Sequence, residues 1–203
     1  PERFGVRTHS GVNDDVPQRT IYVMKPLKSL RRFGKEKSGL AALEFAIIAP
    51  LLMVPLLLGS VDLIDVLGAN TRAENATASL ADIVARDTEV SNAEMAGMWD
   101  ALDILMFPNS PGTMQMRITS ISVENATTAR VVWSEGHGGM TARTAGSTIG
   151  LDNRMMTPGT SVILAESDYT YSTPLGFLFQ NQVHLTHTAY RRSRLVDPIP
   201  RVS

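Results

Sequence analysis

The chain contains no cysteine. Disulfides, thiolate metal sites and cysteine nucleophiles are excluded together. This absence is compatible with an oxidising compartment without establishing one, because many exported domains lack disulfides. A basic surplus is lacking too. Lys and Arg number 19 against 20 Asp and Glu, a formal charge of −1. A general nucleic-acid binder carries excess positive charge over its folded part, so that class is set aside. The usual catalytic signatures are also missing. No Gly-x-Ser-x-Gly elbow, phosphate loop or His-Glu-x-x-His motif occurs. The four histidines, His9, His137, His184 and His187, do not converge in sequence. His184 and His187 are three apart, which puts them on opposite faces of a strand. Asp82 with Asp87, and Asp100 with Asp103, read as solvated helix faces. No catalytic residue, metal ligand, cofactor or small-molecule substrate is expected.

Positive charge is present, but it is local. Residues 24–39 carry Lys25, Lys28, Arg31, Arg32, Lys35 and Lys37 against one acid, Glu36. A long apolar run follows at once. Residues 40–61 hold a single charge, Glu44. About 20 apolar residues suffice to cross a bilayer, whereas the core of a secretory signal peptide is about 7–15 residues long. Asp62 and Asp65 beyond the run are not a cleavage context for a signal peptidase. The segment reads as a signal anchor, with the basic cluster holding its N-terminal side in the cytoplasm by the positive-inside rule. A buried helix of a soluble protein would not explain why the basic cluster abuts the run. Glu44 stands out because an ionisable group in a bilayer costs roughly 2.5–3.5 kcal/mol on insertion scales. Pro50 and Pro55 each remove a backbone donor and predict a kink. Residues 1–23 are polar and without apolar pattern, and read as a disordered or misassigned extension, with Met24 a natural start.

Beyond the run the apolar period becomes helical and one-sided. Ala69, Ala73, Ala76, Leu80, Ile83 and Val84 recur at spacings of three and four, with Arg72, Glu74, Asn75, Asp82 and Arg86 between them. One helix from Leu40 to about Arg86 is predicted, with Gly59 and Gly68 as points of interruption. Ser91-Asn-Ala-Glu94 reads as a capping box opening a second helix to about Met106, with Pro108 just past its end. The period then shortens to two. Strands are predicted over 116–123, 129–134, 161–171 and 183–190, with a bulge or phase shift near Ile121. Residues 135–160 read as a loop or irregular insertion. Four strands on short turns favour an antiparallel sheet, with the outer half of the long helix covering one face. The fold class is therefore α+β: a long N-terminal transmembrane helix that continues into a domain with a short second helix and an antiparallel sheet of about four strands. The divisions are 1–23, a basic segment 24–39, a span 40–61, an amphipathic helical region 62–106, a β-rich domain 107–195 and a tail 196–203. Leu175, Phe177, Leu178 and Phe179 form the best candidate contact with a partner, unless they fold back onto the core.

Gly39-Leu-Ala-Ala-Leu-Glu44-Phe-Ala resembles the processing site of type IV pilin-like proteins. With Ile-Ile-Ala-Pro50 added, it looks like the start of the TadE/TadG-like minor pilins, or pseudopilins, of the tight-adherence (Flp) pilus. Further C-terminal segments, 129–134, 161–171, 174–177 and 190–194, look like TadE-like proteins of alphaproteobacterial type. The resemblance implies a pilin-like, non-enzymatic protein of the bacterial inner membrane, single-pass, with its C-terminal domain in the periplasm. It implies cleavage by a prepilin peptidase between Gly39 and Leu40, after a leader counted from Met24, and makes Glu44 the fifth mature residue. Leu40 stands where many pilins of this kind have Phe. The implied partners are the lipid bilayer, other pilin-like subunits, the pilus secretion platform and the peptidase. A cut there would leave an amine on Leu40, a cation at neutral pH. Glu44 lies four residues along the helix and would meet that amine or a neighbour's, aligning the subunit in an assembly. The alternative is an unprocessed, signal-anchored periplasmic binding or scaffold protein. A membrane-bound enzyme is a third, weaker reading without convergent ionisable groups to support it.

Overall fold

The computed structural model describes residues 37–203. The expectations for residues 1–36, including those for Lys25, Lys28, Arg31, Arg32 and Lys35, lie outside the described residues. The chain divides into two compact units, with the boundary between Pro50 and Leu51.

Helix α1 runs over Lys37–Ala85. Its helical backbone passes through Pro50 and Pro55 and through Gly59 and Gly68 without a break. The two prolines leave the carbonyls of Ala46 and Leu51 without their usual donors. The large apolar side chains of residues 40–57 are each between about half and three quarters exposed. From Asp62 the pattern changes to one buried stripe: Asp62, Val66, Ala69, Ala73, Ala76, Thr77, Leu80, Ala81 and Val84 are all buried. Ile83, expected on that stripe, is 46% exposed, because Ala81, Val84 and Ala85 already fill the turn that faces the domain. Small residues at four of the inward positions let the helix backbone sit close to the sheet, and burial of the larger ones supplies the apolar driving force.

Helix α2 runs over Asn92–Met106 and begins with the expected capping box. The Ser91 hydroxyl accepts from the Glu94 amide, and the Glu94 carboxylate accepts from the Ser91 amide at 2.7 Å. The Ser91 amide and then its hydroxyl hold the Glu94 carboxyl below its usual value. Met95, Met98, Leu102 and Met106 are its buried face.

Five antiparallel strands follow: β1 Met114–Val123, β2 Ala129–His137, β3 Thr148–Ile149, β4 Ser161–Tyr171 and β5 Val183–Arg192. Their order is β3-β2-β1-β4-β5. The two-residue β3 is the strand that the sequence does not announce; it pairs with Ala129 and Arg130 at the β2 edge. The expected irregularity near Ile121 is present as a register shift between Ser120 and Ile121. Ser120 pairs with Trp133 and Ile121 with Val131, so Val132 of β2 is the extra residue.

Both sheet faces are covered. Met116, Ile118, Ile163, Ala165 and Tyr169 join the α1 stripe and α2 in the main core. Thr77 of α1 and Ser167 of β4 share a buried hydrogen bond of 2.7 Å within it. On the other face Ile121, Val123, Ala129 and Leu164 pack with Ile149, Leu151 and Met156 of the 138–160 segment. The C-terminal segment closes the end of the core. Ile199 is fully buried, and its carbonyl accepts from the Trp133 indole at 2.8 Å. Arg201 bonds Glu135, Asn92 and the Val90 carbonyl. Asp82, read from sequence as solvated, pairs with Arg86 and with Arg194 at 2.6 Å just after β5.

Candidate functional site

The residues singled out for function fall at two places. The first is the start of α1. Gly39 and Leu40 are exposed and helical, and Lys37 opens the helix. Among the described residues, a Cβ built on Gly39 meets nothing within 4 Å. Packing around this position therefore does not demand a glycine, and helical backbone favours Ala over Gly by roughly 0.5–1 kcal/mol. Glu44 is exposed on the same helix and makes no hydrogen bond or ion pair among the described residues. It lies in a surface otherwise made of Leu43, Phe45, Ile47 and Ile48. The most apolar 18-residue window of α1 has none of its residues buried, and the helix is long and apolar enough to cross a membrane. A helix apolar all round with no protein cover is the pattern of a lipid-facing segment or of one awaiting other helices.

The second place is the β4–β5 connection, residues 172–182. Gly176 there takes a left-handed backbone (φ 61°) that L side chains rarely adopt. The Thr173 hydroxyl accepts from the Gly176 amide at 3.2 Å and fixes the turn. Of the four apolar residues predicted to make a contact, the structure separates one. Phe179 packs against the main core. Leu175, Phe177 and Leu178 are 51%, 44% and 54% exposed. The Leu178 amide donates to Asp62 Oδ2 of α1 at 2.7 Å. Asp62 is fully buried, and its Oδ1 has no hydrogen-bond partner among the described residues. Sequence reasoning places Asp62 only as a residue beyond the apolar run. A signal for its burial is available: it precedes Val66 by four and Ala69 by seven, on the helical stripe.

Near this connection, Arg72 Nη1 donates to Asn109 Oδ1 at 3.0 Å, and the Tyr169 hydroxyl donates to the Ser110 carbonyl at 3.0 Å. Burial, then the neighbouring Tyr171, raises the Tyr169 hydroxyl above its usual value; burial and then Asp65 do the same for Tyr171. On the far sheet face Glu166 accepts from Arg117 at 2.8 Å and Arg143 at 2.7 Å. Burial alone would raise the Glu166 carboxyl, but hydrogen bonds and charge from the two guanidinium groups outweigh it and hold the group below its usual value. These contacts tie strands and loops together. Among the described residues, no three His, Asp or Glu side chains gather as metal ligands. A shallow groove beside Trp99, which stacks on His137 at 4.7 Å between ring centroids, is lined by Asp100, Asp103, Ser110 and Met114.

Residues 39–82 match the family model of TadE-like protein. The TadE-like match opens at Gly39, covers Glu44 and both prolines, and ends within the buried stripe at Asp82. It spans about a fifth of the chain, so the C-terminal segments that resemble the family from sequence lie outside it. The TadE-like match suggests involvement in tight-adherence pilus assembly, the work of a structural and assembly family, and the apolar helix fits a membrane-anchored protein. No curated protein and no solved structure matches the chain.

Proposed function

We propose that the protein is a minor pilin-like subunit or assembly factor of a tight-adherence pilus, anchored by α1 in the inner membrane. Its N-terminal side is cytoplasmic, its folded domain periplasmic, and a prepilin peptidase cuts it between Gly39 and Leu40. The observation that carries this reading is the pairing of a fold-indifferent glycine with an exposed acid five residues on, at the head of the TadE-like match. A glycine that the packing does not require is explained by an enzyme that must read the backbone there. An exposed carboxylate in an apolar helix is explained by a cation supplied from outside this fold. The new Leu40 amine is such a cation at neutral pH, and it lies one helical turn from Glu44 in the same chain or in a neighbour. Pairing with it removes the cost of a lone carboxylate in hydrocarbon and sets axial register between subunits.

The test uses Gly39→Leu and Glu44→Ala in the full chain, in cells that make the pilus. Gly39→Leu is expected to block processing while the domain stays folded. Glu44→Ala is expected to be processed but to lose pilus output. Normal pilus output from Glu44→Ala would refute the register role. Processing-independent pilus output would favour an unprocessed periplasmic scaffold.

A further inference from the structure

The exposed apolar surface of α1 does not stop where the stripe begins. Val61, Leu63, Ile64 and Leu67 are 45%, 44%, 67% and 55% exposed on the side of the helix away from Asp62 and Val66. Leu67 lies about 9 Å beyond Val61 at 1.5 Å per residue. The 22 residues of 40–61, charged only at Glu44, already cover the roughly 30 Å of bilayer hydrocarbon. Asp62 therefore falls at the boundary of hydrocarbon and headgroups once residues 40–61 span. The β4–β5 connection sits at this level. Its Leu178 amide is bonded to Asp62, Phe179 is turned inward, and three large apolar side chains are turned out.

We propose that residues 174–179 form a second membrane anchor: Leu175, Phe177 and Leu178 enter the interfacial layer beside α1, and the loop shields the Asp62 carboxylate from hydrocarbon. This rests on the reading of α1 as the membrane span. The occupant is lipid because the loop is bonded to α1 at Asp62, where the spanning run ends, and its three exposed apolar side chains therefore lie at the level of the membrane surface. The shielding has a physical reason. A carboxylate facing hydrocarbon costs several kcal/mol, whereas one that accepts a backbone amide under apolar cover is partly compensated. The domain is then held at two points, which fixes its tilt and rotation against the membrane. A pilin-like subunit with fixed orientation presents the same face to each neighbour.

The absence of native cysteine makes the test direct. Single variants Phe177→Cys, Leu57→Cys and Ile104→Cys of the full chain are labelled with the environment-sensitive fluorophore NBD. They are reconstituted into phosphatidylcholine–phosphatidylglycerol vesicles with spin-labelled acyl chains. Ile104, 80% exposed on α2, reports water; Leu57 reports the span. A blue-shifted probe at 177 that loses most of its emission to shallow spin labels, with the probe at 104 unaffected, supports the anchor. Quenching at 57 with a water-like probe at 177 overturns the loop proposal and leaves the span intact. No quenching at 57 overturns the span and the loop anchor together. A blue shift at 177 that resists lipid quenchers and grows with protein density assigns the loop to a neighbouring subunit and overturns the proposal.

Discussion

The hydrogen bond between Thr77 and Ser167 gives a sharp test of how α1 is fastened to the sheet. Thr77 is fully buried and Ser167 is 3% exposed. The Thr77 hydroxyl donates to the Ala73 carbonyl at 2.7 Å, so its oxygen accepts from the Ser167 hydroxyl, also at 2.7 Å. Each change to the pair has a different consequence. Ser167→Ala removes one donor and leaves Thr77 bonded to Ala73; the loss is about 0.5–1.5 kcal/mol. Thr77→Val keeps the shape but strands the Ser167 hydroxyl in the core, at about 1–3 kcal/mol. Replacing both removes donor and acceptor together and approaches neutrality. The two single changes are therefore expected to be non-additive by about 1–2 kcal/mol, within the range seen for residues in contact. For a domain of this size 1 kcal/mol moves the melting temperature by about 2–4 °C, which a thermal melt of the detergent-solubilised full chain resolves. A double variant at least as destabilised as the sum of the singles would refute the shared bond and the helix position it fixes.

Three further outcomes are expected. The Glu166 carboxyl is held low in the folded state, so its contribution is present above the usual carboxylate value and is lost as pH falls through the lowered one; Glu166→Gln should flatten that acid limb in pH-dependent melts and cost roughly 1–3 kcal/mol, less than a fully buried pair would. Ile199→Ala should cost about 2–5 kcal/mol in denaturant unfolding, because Ile199 is fully buried; a loss under about 1 kcal/mol would mean that the C-terminal segment does not close the core. Gly136→Ala should destabilise the β2 end by more than about 2 kcal/mol, since its Cβ would stand 1.9 Å from the Met140 carbonyl oxygen; an unchanged melt would contradict the tight 136–142 turn.

Much of the fold is legible from local signals. The capping box at Ser91 and the ends of β4 are readable because hydroxyl-to-amide caps and period-two burial are written in neighbouring residues. The α1 stripe is readable for the same reason. What cannot be read depends on contacts distant in sequence. β3 is too short to show a period and exists only because Ala129 and Arg130 offer an edge. Ile199, flanked by Pro198 and Pro200, gives no pattern, yet Trp133 bonds its carbonyl 66 residues away. The bulge is legible near Ile121, but not that the extra residue is Val132 on the partner strand. At the candidate sites, the motif around Gly39 and Glu44 is visible as spacing. The burial of Asp62 follows from its place on the stripe, but its partner is hidden, because the Leu178 amide belongs to a loop 116 residues further on.

The central claim concerns the bond between Gly39 and Leu40, and the N-terminal residue of the mature protein tests it most directly. The protein is purified from cells with and without their prepilin peptidase and sequenced from its N-terminus. The account predicts Leu40 as first residue when the peptidase is present, and an N-terminus upstream of Gly39 when it is deleted. The same upstream N-terminus in both strains would contradict it.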